Sequence, residues 1–243
     1  MKETEIPKND RDFVYKKIKT EEIEELLNQI NDEPKTEKQV KKYILQFEKS
    51  LESNLEQRQI YKEPLKYIES EVELSENIRK LFEISSNPLF FPILFQLNST
   101  ISILSLLTHE NTDIAIQCIE LIFELTVEDS VDLVEETYLE NFLNNLIENN
   151  VLVLLLDTAS RLDRKKLDDK NAIFNIIGIL DNFVAIKPLL AETIFNTPDF
   201  VSWILNNLSE KEFDSVKQYS SEILAIILHS SPLNLKKLVE LGI

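Results

Sequence analysis

Three short, strongly apolar segments recur in the chain at a fixed interval. They are ISILSLL at Ile101–Leu107, VLVLLL at Val151–Leu156 and VSWILNNL at Val201–Leu208, each starting 50 residues after the last. A longer segment follows each one: Thr112–Thr126, Asp169–Val184 and Val216–His229. In these, apolar residues return every three or four positions, which is the period of a helix and not the alternation of a strand. One further helix in each connection leads to the next unit. The expected unit is therefore three helices, one short and two longer, spanning roughly 46–58 residues.

A short helix that is apolar all round must be covered by neighbours. Units of this length meet that need by stacking, so that each buries the apolar face of the next. The sequence predicts an all-α fold, an armadillo/HEAT-like right-handed superhelical solenoid of stacked helices. Val40, Ile44, Leu45 and Phe47 mark an earlier helix. Leu74, Ile78, Leu81 and Phe82 mark another, with its start expected near Glu73 or Ser75. Pro34, Pro64, Pro88, Pro92, Pro188, Pro198 and Pro232 fall at connections or first helical turns, where a missing N–H breaks no ladder. Gly178 and Gly242 are the only glycines, too few for hairpin-rich β architecture or a phosphate-cradling loop.

Residues 1–35 read as a flexible charged leader, with Ile23, Leu26, Leu27 and Ile30 forming one short helical stripe. Lys16-Lys17-Ile18-Lys19 reads either as a weak nuclear-import signal or as a solvated charged face. Residues 36–243 form the helical repeat domain, its last repeat expected to be incomplete. That end should expose Leu238, Leu241 and Ile243 and so offer a surface for self-association.

The net charge is −17, and its distribution is uneven. No Lys or Arg occurs between Lys80 and Arg161. Nucleic acid and anionic membranes require cations, so neither is an expected partner. Basic proteins are. The start, MKETEIPKND, has no apolar signal region, and the longest apolar runs fall far short of the ~20 residues of a membrane span. The single cysteine, Cys118, excludes an intrachain disulfide and a Cys-rich zinc site.

The acidic stretch has a direction. In Thr112–Thr126 the polar positions Asp113, Gln117, Glu120 and Glu124 follow i, i+4, i+7, i+11, one continuous face. Asn171, Asn175, Gly178 and Asn182 take the same places in the second long helix, and Gln218, Glu222, Ala225 and His229 in the third. In an armadillo stack the equivalent third helices line a concave groove, which makes these positions its candidate floor. The same spacing also describes the solvated face of any amphipathic helix.

A more specific likeness runs in order through residues 36–243. Val40-Lys41-Lys42, Ile44-Leu45, Phe47-Glu48-Lys49 and Asn54-Leu55-Glu56-Gln57-Arg58 open it. Ile68-Glu69-Ser70-Glu71-Val72-Glu73-Leu74, His109, Asn111-Thr112-Asp113-Ile114 and Ser221-Glu222-Ile223-Leu224-Ala225-Ile226-Ile227-Leu228 continue it. These blocks resemble the N-terminal portion of the nuclear, spliceosome-associated beta-catenin-like protein 1 family. The resemblance implies a nuclear, non-catalytic scaffold of pre-mRNA splicing without a cofactor. It also implies partners from the nineteen complex, including a Myb-type splicing protein, bound through basic, import-signal-like segments. On that reading Asp113, Glu120 and Glu124 accept hydrogen bonds from partner Lys and Arg. Asn171, Asn175 and Asn182 hold its backbone, with Gln117 and Glu222 beside them. The alternatives are a cytosolic armadillo/HEAT adaptor for another partner and an all-α enzyme with a carboxylate site.

Other reactive residues have structural readings. Asn111 or Thr112 should cap a helix, with His109 in the preceding loop. His229 ends a helix, and Cys118 sits among Ile116, Ile119 and Ile122 as core. Trp203 is read as a packing residue between repeats, with cation stacking in the groove as the alternative. Glu128-Asp129 and Glu135-Glu136 lack the Gly-containing spacing of a calcium loop, so no metal site is expected.

Overall fold

The computed structural model describes residues 35–127 and 133–242. The leader stripe, Lys16–Lys19, Glu128-Asp129 and Ile243 lie outside the described residues, as do the side chains of residues 35, 36 and 133–135. The described elements are α-helices and short 3-10 turns, with no strand among the described residues. They are α1 (Lys35–Ile60), α2 (Ile68–Ser85), α3 (Phe91–Gln96), α4 (Ser99–Ser105), α5 (Thr112–Thr126) and α6 (Leu133–Glu148). The second half holds α7 (Val151–Ala159), α8 (Leu167–Ile186), α9 (Leu190–Phe195), α10 (Phe200–Ser209), α11 (Ser215–Ser230) and α12 (Pro232–Glu240).

The helices group as sequence periodicity requires. The most extensive packing runs α1 to α2, α2 to α5, α5 to α8 and α8 to α11. The long third helices thus form a ladder, and the shorter helices cover its other side. Units also meet through aromatic rings, as where Phe91 of α3 packs on Phe142 of α6, with ring centroids 4.9 Å apart and planes tilted by 43°. Phe47, Phe91, Phe142, Phe183 and Phe200 are all fully buried, one large anchor after another along the stack.

The repeat is visible in the backbone itself. Among the described residues, Asn98, Asn150 and Asp199 are the non-glycine residues with positive φ, at 57, 59 and 63°. Each stands immediately before the short second helix of its unit, α4, α7 or α10. Asn and Asp tolerate the left-handed region better than other side chains. At Asn98 the apolar segments Pro88–Gln96 and Ser99–Thr108 meet at 88°, and no single described helix is long and apolar enough to cross a membrane. Gly242, with φ 78°, follows α12 in the same relation. Its amide reaches back to Val239 as the Asn150 amide reaches Ile147.

Several expectations need correction. α2 begins at Ile68, earlier than Glu73, because the 3-10 turn Pro64–Lys66 feeds directly into it. The unit is not one short and two longer helices throughout. The first helices α3 and α9 have only six residues, and only α6, with 16, is long. Left-handed corners at Asn98, Asn150 and Asp199 close the first helices of all three units; α3 and α9 are shorter than α6 because they start late, after the 3-10 turn Pro88–Phe90 and after Pro188. Leu238, on the inner face of α12, is only 8% exposed, whereas Leu241 stays 61% exposed beside a hollow of about 400 Å³ that Val201 and Leu205 also line.

The connections leading into the third helices are tied from unit to unit by arginines. Arg58 pairs with Glu71 of α2 and Glu110 of the next connection. Arg161 donates to the carbonyls of His109 (3.0 Å) and Leu107 (2.6 Å). Arg164 donates to the Asn207 carbonyl (3.1 Å) and pairs with Asp214. His109 is buried within this edge. Its Nδ1 accepts the Asn111 amide (3.0 Å), which leaves Nε2–H to donate to Asn54 Oδ1 (3.2 Å). Asn54 donates onward to Ser70 (2.9 Å), and Ser70 to the Tyr67 carbonyl (2.6 Å).

Candidate functional site

An open cavity of about 560 Å³ lies across the ladder. Ser75, Arg79 and Phe82 of α2 form one wall, Asp113, Ile116, Gln117 and Glu120 of α5 the floor, and Asp168 of α8 the far rim. The α5 positions are there because Ile114, Cys118, Ile119 and Leu121 of the same helix are turned into the core. The helix is fixed at its start by Asn111, whose side chain accepts the Asp113 amide at 3.0 Å. Gln117 is half-buried and donates to the Ser75 carbonyl of α2 at 3.1 Å, which sets the register of the two helices.

Asp113, Glu120 and Asp168 are exposed, and no hydrogen bond or ion pair is recorded for their carboxylates among the described residues. Three unneutralised carboxylates thus converge on one hollow. Phe82 and Ile116 supply apolar floor for an aliphatic stem, and Arg79 places one cation at the wall. The arrangement offers hydrogen-bond acceptors at the spacing of neighbouring helices, with apolar surface between them.

The predicted positions divide. Asp113, Gln117 and Glu120 come together in the cavity; Glu124 is exposed on the same helix but does not line it. Asn171 is exposed and Asn175 half-buried, and neither lines the cavity. Asn182 is turned to its neighbour helix, where it donates to Thr126 Oγ1 at 3.2 Å. Glu222 accepts from Gln218 on its own helix at 3.0 Å. It also faces Asp181, whose carboxyl is raised above its ordinary value by burial and then by the Glu222 charge. Ser75, Arg79 and Phe82 were missed, yet they carry the i, i+4, i+7 spacing found in α5. Asp168 lies one turn before Asn171, and only the stagger of α8 against α5 brings it to the rim.

Gly178 is not an empty place on a groove floor. A Cβ built there would lie 2.5 Å from Phe123 Cε2 of α5. The glycine lets α8 close on α5. Gly to Ala ordinarily stabilises a helix interior by up to ~1 kcal/mol, but here the sign should reverse. Gly178→Ala should cost about 1–2 kcal/mol in chemical denaturation through overpacking. Gly178→Ala with Phe123→Leu should recover most of that loss, and an additive double variant would refute the contact.

The remaining reactive residues are structural. Cys118 is fully buried, and burial pushes its thiol far up. Trp203 packs against the core, and His229 is exposed in the last turn of α11. Among the described residues no group of three or more His, Cys, Asp or Glu is placed to hold a metal ion.

A ladder of third helices with an open polar hollow defines an armadillo-type helical repeat protein. The model of a family described as "Catenin-beta-like, Arm-motif containing nuclear" matches residues 19–243. The chain belongs to this family. It is 34% identical over 210 residues to beta-catenin-like protein 1 of Homo sapiens, covering 86% of this chain and 37% of that protein. The same figures hold for the Mus musculus protein. The Schizosaccharomyces pombe homolog is 32% identical over 199 residues, covering 81% of this chain and 35% of its own. The chain thus spans little more than a third of the relatives' length. Family and fold together make it an armadillo-type protein of a nuclear family.

Proposed function

We propose that the chain is a non-catalytic scaffold of pre-mRNA splicing that holds Lys/Arg-rich, import-signal-like segments of splicing factors in the α2–α5–α8 hollow. The convergence of unpaired Asp113, Glu120 and Asp168 on one open cavity carries this reading. Charge attraction from an acidic solenoid speeds encounter and makes binding depend on salt. The apolar floor of Phe82 and Ile116 accommodates the methylene stems that Lys and Arg bring. Arg79 shapes the choice of ligand, because a partner must place a carbonyl or an acidic residue opposite it.

Anisotropy of a labelled basic peptide tests the proposal. Asp113→Asn/Glu120→Gln/Asp168→Asn should weaken binding by about tenfold to a hundredfold at low salt, about 1.4–2.7 kcal/mol. Glu124→Gln, outside the cavity, should leave it nearly unchanged. Equal affinity for the wild type and the triple variant would reject the groove.

A further inference from the structure

A cationic run of the leader has no part in the reading above. Phe13-Val14-Tyr15-Lys16-Lys17-Ile18-Lys19-Thr20 holds three lysines and no acidic residue, with Asp12 directly before it and Glu21 directly after. The hollow asks for this chemistry. Asp113, Glu120 and Asp168 call for cations, Phe82 and Ile116 for apolar side chains, and Arg79 for a carbonyl or a carboxylate. The leader offers Lys16, Lys17 and Lys19 for the first, Tyr15 and Ile18 for the second and Asp12 for the third.

We propose that residues 12–19 seat in the α2–α5–α8 hollow of their own chain and compete there with the basic segments of partners. The proposal rests on the hollow being a site for basic segments and adds how that site is regulated. Reach favours the chain's own hollow. α1 and α2 run antiparallel, with Asn54 bonded to Ser70 at 2.9 Å and Arg58 paired with Glu71. From Asn54 back to Lys35, α1 covers ~29 Å, and from Ser70 on to Phe82, α2 covers ~18 Å. Lys35 therefore overhangs the Phe82 wall by ~11 Å along the helices. Two helix spacings of ~9 Å each, from α1 across α2 to α5, bring the gap to ~21 Å. The sixteen residue steps from Lys19 to Lys35 measure ~20–24 Å end to end as a coil, and a helix of the same length would measure ~24 Å. Either form of the link meets the span. Such a tether holds the run at an effective concentration on the order of millimolar, so a seat too weak for a free peptide fills within the chain. Glu21, Glu22, Glu24 and Glu25 follow the lysines, and like charge keeps that part of the link out of the hollow. Partner affinity is then reduced by the fraction of hollows left open.

Two measurements on the full chain test this. Cys118 is fully buried, so a nitroxide can be placed selectively on Val14→Cys. In a dilute sample it should broaden the NMR signals of the Arg79, Gln117 and Glu120 amides. The broadening should fade with salt and vanish in Asp113→Asn/Glu120→Gln/Asp168→Asn. It should not pass from a nitroxide-bearing chain to a second, isotope-labelled chain that has none. In the other measurement, Lys16→Glu/Lys17→Glu/Lys19→Glu should tighten binding of a fluorescent oligolysine peptide by about threefold to tenfold at low salt, with circular dichroism unchanged. A peptide of residues 11–20 should displace the oligolysine from that variant. Absence of broadening overturns the proposal whatever the oligolysine does, and broadening between chains alone assigns the run to a second copy and overturns it too. Broadening with equal oligolysine affinity in the wild type and the leader variant refutes the competition. Oligolysine bound by neither chain, with the broadening intact, would refute the hollow as a partner site and leave the leader as its occupant.

Discussion

Arg58→Ala should destabilise the fold by about 2–4 kcal/mol, the cost of leaving one member of a largely buried ion pair uncompensated. The Arg58 side chain is 14% exposed and that of Glu71 13%. Glu71 would keep only the Asn111 amide donor at 2.8 Å. Glu110, at 86% exposure, is solvated and adds little. Arg58 also lies over the Tyr67 ring at 4.8 Å, so packing is lost with the charge. For a chain of this size the midpoint of thermal unfolding should fall by roughly 5–15 °C. Arg58→Lys should recover little, because a single ammonium cannot pair with Glu71 and Glu110 while stacking on a ring.

The same substitution should change the response to pH. His109 is held below its ordinary pKa first by burial and then by the Arg58 charge. The unfolded chain therefore takes up a proton near pH 6.5 that the native ring refuses. As pH falls below that value, native stability declines by up to ~1.4 kcal/mol per unit until the folded pKa is passed. Without Arg58 the coulombic part of the depression disappears, while Glu71 and Glu110 still favour the imidazolium. The decline below pH 6.5 should be shallower in Arg58→Ala than in the wild type. Equal slopes would show that Arg58 does not act on His109.

Helix identity was legible in the sequence, and the reason is the 3.6-residue period of Ile114, Cys118, Ile122 and Leu125, all buried. α5 has the predicted bounds because Asn111 caps it visibly. Helix length was less legible. α3 and α9 stop at corners made by Asn98 and Asp199, and nothing local separates these from other Asn and Asp residues. The site was legible in part. A helix face can be read from spacing, so Asp113, Gln117 and Glu120 were placed on one face, and the structure brings that face to one hollow. Which faces meet depends on stagger between helices distant in sequence, which is why Asp168 and Arg79 were missed. Gly178 was misassigned for the same reason. Its place in the polar row is plain, but its cause is Phe123, 55 positions earlier.

The direction of the charge also changed. The excess acid of the middle units outnumbers the one cation, Arg79, at the hollow. Among the cations of the later units, Arg161 and Arg164 hold neighbouring connections together. If basic segments bind at the hollow, salt should weaken that binding, and Asp113→Asn/Glu120→Gln/Asp168→Asn should remove most of its salt dependence.

Asp214→Ala should cost about 2–3 kcal/mol at neutral pH. Its carboxylate caps α11 by accepting the Lys217 amide at 2.9 Å, a contribution of ~1 kcal/mol. It also accepts from Arg164 Nε at 3.2 Å and pairs with Lys170 at 3.1 Å. Removing it leaves Arg164, whose side chain is only 17% exposed, with the Asn207 carbonyl as its remaining acceptor, for a further ~1–2 kcal/mol. Asp214→Asn keeps an oxygen for the cap and should cost about half as much. The Arg164 hydrogen bond holds the Asp214 carboxyl far below the usual carboxylate range, against some burial and with help from the Lys217 amide and Lys170. This stabilisation is complete above the unfolded carboxyl's pKa of ~3.9 and drains away as pH falls toward the folded one. Thermal unfolding between neutral and strongly acidic pH should therefore show the wild-type and Asp214→Asn curves converging in acid. Parallel curves would mean that the pair contributes no charge-dependent stability.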